Sequence, residues 1–168
     1  MNNSFRYREG SLHDKEQLQK LKIISYSQFS KVLTPDNWAK MNESLHDEDK
    51  LTELINKSKI YVCMWNNEMV GVAYLVPSGS AWGPFKAEWS YIRNVGVNPE
   101  FRGRGIAKTL TKMCIDYAKK SGEKIIALHT SEFMDAARHI YEGIGFKAIE
   151  EIEPIFGKKY WLYMLEIN

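Results

Sequence analysis

A chain of 168 residues with 44% hydrophobic content is long enough for one good core and too short for two, so residues 1–168 are expected to form a single domain. A formal net charge of +2, spread along the chain, gives no field that would favour nucleic acid or an anionic membrane as a partner. Cys63 and Cys114 show no CxxC pair or metal-ligand spacing, the N-terminus has no apolar signal region and no apolar run approaches bilayer length, so two reduced thiols, no metal and a cytoplasmic setting are expected.

Residues 5–9 alternate as a first strand, and Ser11-Leu12-His13-Asp14 opens a helix whose inward face carries Leu18, Leu21, Ile24 (or Ile23) and Phe29. Thr34-Pro35 caps a second helix with Trp38 and Met41. A third starts near Asp47 and repeats Leu51, Leu54 and Ile55. Residues 60–65 and 69–76 form an antiparallel hairpin around Asn66-Asn67-Glu68. The longest loop spans 77–84, and a strand over 87–97 follows it. Ile106, Leu110, Met113 and Tyr117 share one face of a helix that ends at Ser121-Gly122. Residues 124–130 read as a buried strand, 136–143 as a helix, and 146–151 with 159–167 as a closing antiparallel pair. The order is mixed α/β.

The chemistry concentrates where the strand ending in Val95-Gly96-Val97 meets Asn98-Pro99-Glu100-Phe101 and then Arg102-Gly103-Arg104-Gly105-Ile106-Ala107. Two glycines let the backbone approach a ligand, and the amides of the following helix start, with the positive end of its dipole behind them, make an anion cradle. Arg102 and Arg104 add positive charge, which favours a phosphate or pyrophosphate and hence a nucleotide-bearing cofactor. No Walker loop occurs, and Lys108 stands where a dinucleotide fingerprint needs its third glycine. The loop does satisfy [RQ]-x-x-G-x-[GA] through Arg102, Gly105 and Ala107, and Tyr141-Glu142-Gly143-Ile144-Gly145-Phe146 supplies a Y-E-x-x-G-F segment downstream.

With these two ordered motifs the sequence resembles the GNAT superfamily of acetyl-CoA-dependent N-acetyltransferases. The resemblance implies a single domain with a central, mostly antiparallel sheet of six to seven strands, flanked by helices and splayed at the cofactor-binding strand. It implies acetyl-CoA as acetyl donor, held by Val95, Gly96, Val97, Arg102, Gly103, Arg104, Gly105, Ile106, Ala107 and, from the run Leu128-His129-Thr130, Thr130. Tyr141 matches the family's proton donor to the leaving thiolate, and a phenol with a reference pKa of about 10 is suited to protonating a thiolate whose thiol has one of about 8.5. The family's asparagine seven residues earlier is Met134 here.

The base that deprotonates the amine is not fixed by spacing. The glutamate that several relatives carry six residues before the strand end is Tyr91 here, which leaves Glu88, His129 or a water chain. Tyr26, Trp38, Trp82, Trp89 and Phe156 give the first helices, the long loop and the C-terminal hairpin an aromatic bias. They predict an acceptor pocket for an apolar or cationic amine, with Trp82 and His129 as substrate contacts.

The expected activity is acetyl transfer to a primary amine of a small molecule or peptide by direct attack in a ternary complex. A non-catalytic acyl-CoA sensor is the alternative. A homodimer formed through an exposed C-terminal strand edge is one arrangement; coverage of that edge by the chain's own loops is the other.

Overall fold

The computed structural model describes residues 4–167. Strand β1 (Phe5–Gly10) leads into a 3-10 turn whose capping box is formed by Ser11 and Asp14, and then into α1 (Lys15–Tyr26). Leu18 and Leu21 face inward as expected, but Ile24 is 43% exposed. After steps of three and four residues, the inward position falls on Ser25, which packs under Gly96. Phe29 lies beyond the helix, in a second 3-10 turn. Thr34 and Asp47 cap α2 (Pro35–Leu45) and α3 (Glu48–Lys57) by accepting hydrogen bonds from Asn37 N and Lys50 N.

The remaining elements are β2 (Lys59–Trp65), β3 (Glu68–Val76), β4 (Ser90–Val97), α4 (Ile106–Lys120), β5 (Ile125–Ser131), α5 (Asp135–Ile144), β6 (Lys147–Ile155) and β7 (Lys158–Glu166). The strand expected from residue 87 starts at Ser90, because 87–88 form a turn.

Among the described residues seven strands form one sheet in the order β1-β2-β3-β4-β5-β7-β6. Every neighbouring pair is antiparallel except β4 and β5, which run parallel. That parallel contact is short, with only Ser90↔Ile126 and Tyr91↔Ala127 in register. Beyond it the two strands diverge.

Both sheet faces are covered. On one, Leu18, Leu21, Leu51, Leu54 and Ile55 of α1 and α3 pack on Val62, Val72, Tyr74 and Val76; on the other, Ile106, Leu110, Cys114 and Tyr141 of α4 and α5 pack on Cys63, Ala73, Leu75, Ile92 and Leu128. Each such aliphatic burial contributes about 1.5–3 kcal/mol. Helix α4 approaches β3 across Gly71, where a Cβ would lie 2.5 Å from Ile106 Cγ2. That glycine sets the height of the helix start over the sheet. A third cluster, built on Phe29, Leu33, Met41 and Leu45 with Tyr26, Phe133, Met134 and Phe156 against it, packs α2 and the turn before it on the start of α5 and the β6–β7 turn.

The C-terminal strand β7 is not an edge. It lies between β5 and β6, and the free edges belong to β1 and β6. Glu150, Glu151, Glu153 and Pro154 line the largely exposed β6, a charged, proline-interrupted edge of the kind that discourages strand pairing between copies.

Candidate active site

The divergence of β4 from β5 is sharpened by a bulge. Register between β3 and β4 runs Gly71↔Val97 and Val72↔Gly96, then shifts to Tyr74↔Arg93, and Asn94 takes a left-handed conformation at φ 50°. Past Tyr91, β4 has no register partner in β5. A cleft of about 490 Å³ opens there, bounded by Val95, Gly96, Val97, Arg102, Gly103, Gly105, Ile106 and Ala107 on one side and by Met134, Ala137, Ile140 and Tyr141 on the other. Most of the residues expected at the cofactor therefore converge on one cleft.

Its loop end is built for an anion. Gly103 and Gly105 hold φ of 76° and 78°, and a Cβ on either would project into open space. Gly105 caps α4 without any side-chain acceptor, which leaves the amides of the first turn available. These features fit the diphosphate of a CoA-type ligand. Lys108, which breaks the dinucleotide pattern, lines the same cleft.

Three expected contacts differ. The Arg102 guanidinium turns back to the end of α1 and the 3-10 turn after it, donating to Ser25 O at 2.8 Å, to Gln28 Oε1 and to Val97 O at 3.4 Å, so it ties the strand end to that segment rather than standing as a free phosphate ligand. Arg104 is exposed over the Phe101 ring at 5.3 Å and lies outside the cleft lining. Thr130 is buried, donates to Met134 Sδ at 3.7 Å and lines a different cavity.

That second cavity, of about 440 Å³, is bounded by α1, α2, α3, β4, β5, Trp82 and the β6–β7 turn. Tyr26, Val95, Met134, Ala137 and Tyr141 border both spaces. Tyr141 is 7% exposed, and burial, followed by the neighbouring Tyr26 and Cys114, raises its phenol well above 10. It keeps its proton at neutral pH, as a donor must.

His129 and Trp82 both line the second cavity. Glu88 does not: it sits on the exposed 87–88 turn, outside both linings. Tyr91, at the place of the family glutamate, is fully buried and stacked on Phe85 at 4.5 Å. Of the five aromatic residues expected at the pocket, Tyr26, Trp82 and Phe156 line it. Trp38 packs in the third cluster, and Trp89 packs against the first with Lys86 over its ring. Sequence reasoning missed Lys22, Lys50, Lys57, Arg93 and Glu53, all on the cavity wall. The available signal was Arg93 itself, a lone charge between Ile92 and Asn94 in a strand that otherwise reads as buried.

His129 lies among the rings of Trp82, Phe85 and Tyr160, and its buried Nδ1 has no partner among the described residues. Burial first, then Arg93, lowers its pKa from 6.5 to about 4. The imidazole is thus neutral at pH 7 and a weak base. With the folded pKa depressed, its contribution to stability is complete above pH 6.5 and disappears as pH falls towards 4. Urea titrations of wild type and His129→Gln at pH 7 and pH 4 are expected to differ in acid sensitivity by about 3 kcal/mol, with the variant the less sensitive. Equal sensitivity would mean that the imidazole titrates normally.

The chain belongs to the acetyltransferase (GNAT) family, whose model matches residues 23–146. The family comprises N-acetyltransferases that use acetyl-CoA. An uncharacterized N-acetyltransferase of Methanocaldococcus jannaschii is 35% identical over 108 residues, covering 63% of this chain. The chain spans 44% of that protein's length and about half or less of the other curated relatives it matches. The PaiA N-acetyltransferase of Thermoplasma acidophilum, solved in complex with coenzyme A, superposes with a TM-score of 0.79 at 16% identity, over 98% of this chain and 99% of that one. The ribosomal-protein-S18-alanine N-acetyltransferase of Escherichia coli gives 0.73 at 15% identity, over 98% and 94%. At these identities the two structures share the fold.

Proposed function

We propose that this protein transfers the acetyl group of acetyl-CoA to a primary amine by direct attack, with donor and acceptor bound at once in the two adjoining spaces. The observation that carries this reading is the position of Tyr141 on the border of both. When bound, acetyl-CoA supplies a thioester carbonyl open to a neutral amine and a departing thiolate that needs a proton. Gly103, Gly105 and the first-turn amides of α4 would hold the diphosphate. The backbone edge of Val95, Gly96 and Val97 that faces away from β3, without a partner in β5, would align the pantetheine arm and present an amide to polarise the carbonyl. Tyr141 carries the proton for the thiolate.

No cysteine is positioned to carry the acetyl group, since Cys63 and Cys114 are buried, line neither space, and burial pushes Cys114 up to about 12. Two free buried thiols also suit a cytoplasmic setting. Removal of the amine's proton needs no strong dedicated base, because Lys22 and Arg93 beside it favour its neutral form. Water can then carry the proton away, with His129 staying neutral beside that route.

Calorimetric titration with acetyl-CoA, CoA, NAD and ATP tests the donor side. Micromolar binding of the two CoA species alone is expected. Absence of CoA binding would overturn the reading, and CoA binding with no thiol release across amines of every charge class would make the protein a sensor.

A further inference from the structure

We propose that the acceptor is a small amine carrying a carboxylate, and that Arg93 is the specificity-determining residue that binds this group; the proposal rests on the acetyl-transfer reading above. Lys22, Lys50, Lys57 and Arg93 line the second cavity, against Glu53 as its carboxylate. None of the four cations is in an ion pair among the described residues. Lys22 donates only to the Ser44 carbonyl, at 3.3 Å. Its ammonium is lowered by burial and then by Arg93, with Asp47 opposing and Lys50 adding to the repulsion. The wall therefore holds positive charge that the protein itself does not neutralise.

Arg93 is the distinctive member. It stands immediately before the Asn94 bulge, and its Cζ lies 3.7 Å from the Trp82 ring centroid. Its nearest carboxylate influence is the longer-range one of Glu53, and no hydrogen bond from its guanidinium to a described residue offsets its burial. Contact with the Trp82 ring holds the guanidinium carbon in place, and a planar carboxylate can meet two of its N–H groups with parallel hydrogen bonds. Arg93 is half-buried on a wall of cations without an ion-pair partner, and an anionic group from the ligand is its complement.

A polyamine or simple aromatic amine would instead add positive charge beside four cations. The charge of the wall thus runs against the apolar or cationic amine predicted from the aromatic residues. A carboxylate anchored at Arg93 also offsets the repulsion that a substrate ammonium meets, while the remaining cations still favour loss of its proton.

Matched amines that differ only by the carboxylate test this: leucine against isopentylamine, phenylalanine against phenethylamine, and lysine against cadaverine, with spermidine and O-phosphoethanolamine alongside. Thiol release gives kcat and KM, and calorimetry in saturating CoA, which cannot react, gives affinity without turnover. In at least one pair the carboxylate member is expected to be favoured tenfold or more. Arg93→Gln should abolish that preference through KM and affinity while CoA binding is unchanged. If Arg93→Gln loses CoA binding, Arg93→Lys, which keeps the charge but not the fork, carries the test with a partial loss of preference. No carboxylate preference in any pair, a preference for spermidine or O-phosphoethanolamine, or a preference that survives Arg93→Gln would overturn the proposal. Failure of wild type to bind CoA would overturn the transfer reading beneath it, whereas CoA binding without carboxylate preference overturns this inference alone.

Discussion

Tyr141→Phe is expected to lower turnover about 100-fold or more while leaving acetyl-CoA affinity within about twofold. The substitution removes one oxygen and keeps the ring that packs 5.9 Å from Phe146, so the cleft wall persists and only the proton is lost. Its phenol is raised chiefly by burial. The hydroxyl therefore stays protonated through the range in which an amine becomes neutral, and kcat/KM should climb with pH to about 10 without an alkaline fall from this group. Rapid-quench turnover and calorimetry on the same sample separate the two effects. A variant with undiminished kcat would remove Tyr141 from the chemistry and direct attention to Tyr26, the other phenol bordering both spaces, also raised by burial.

Gly105→Val should weaken acetyl-CoA binding by about two orders of magnitude. A β-branched residue at φ 78° is strained by about 1–3 kcal/mol, and its side chain would occupy the open space proposed for the diphosphate. Strain alone is controlled by Gly122→Val at the far end of α4, where φ is 83° and a Cβ also meets nothing. Both variants are expected to lose similar stability. Only the first should lose affinity, and equal affinities would show that the glycine loop is merely a turn.

Elements with a local cause were legible in the sequence. The capping residues Ser11, Thr34 and Asp47, the apolar repeat of α4 and the glycine pair before it each lie within a few residues of their structural effect. Ile24 was misplaced because the inward stripe of a 3.6-residue helix drifts, and Ser25 gave no apolar signal. The start of β4 lies three residues later than expected because Ala87, Glu88 and Trp89 alternate as a strand would, while 87–88 form a turn. Beyond the lone Arg93 in its strand, cavity charge was not legible, since Lys22, Lys50, Lys57 and Arg93 come from three elements and become neighbours only when α1 and α3 fold over β4. Arg102 shows the same limit: its motif position was plain, but its partners Ser25 on α1 and Gln28 in the turn after it are more than seventy positions away in the chain.

Two residue pairs are all of the ladder that joins the β1–β4 half of the sheet to the β5–β7 half, with Ser90 Oγ donating to Ile125 O beside them. Elsewhere the seam is closed by packing rather than by the ladder: Trp82 and Phe85 against His129 on one face, and the helices α4 and α5 on the other. The sheet is therefore two half-ladders fastened at one end, like a clothes peg, and an extended ligand lying against β4 would act as a missing rung. Occupancy of the cleft and cooperativity of the fold are then linked: a bound ligand should protect the seam strands β4 and β5 from local opening more than it protects the outer strands.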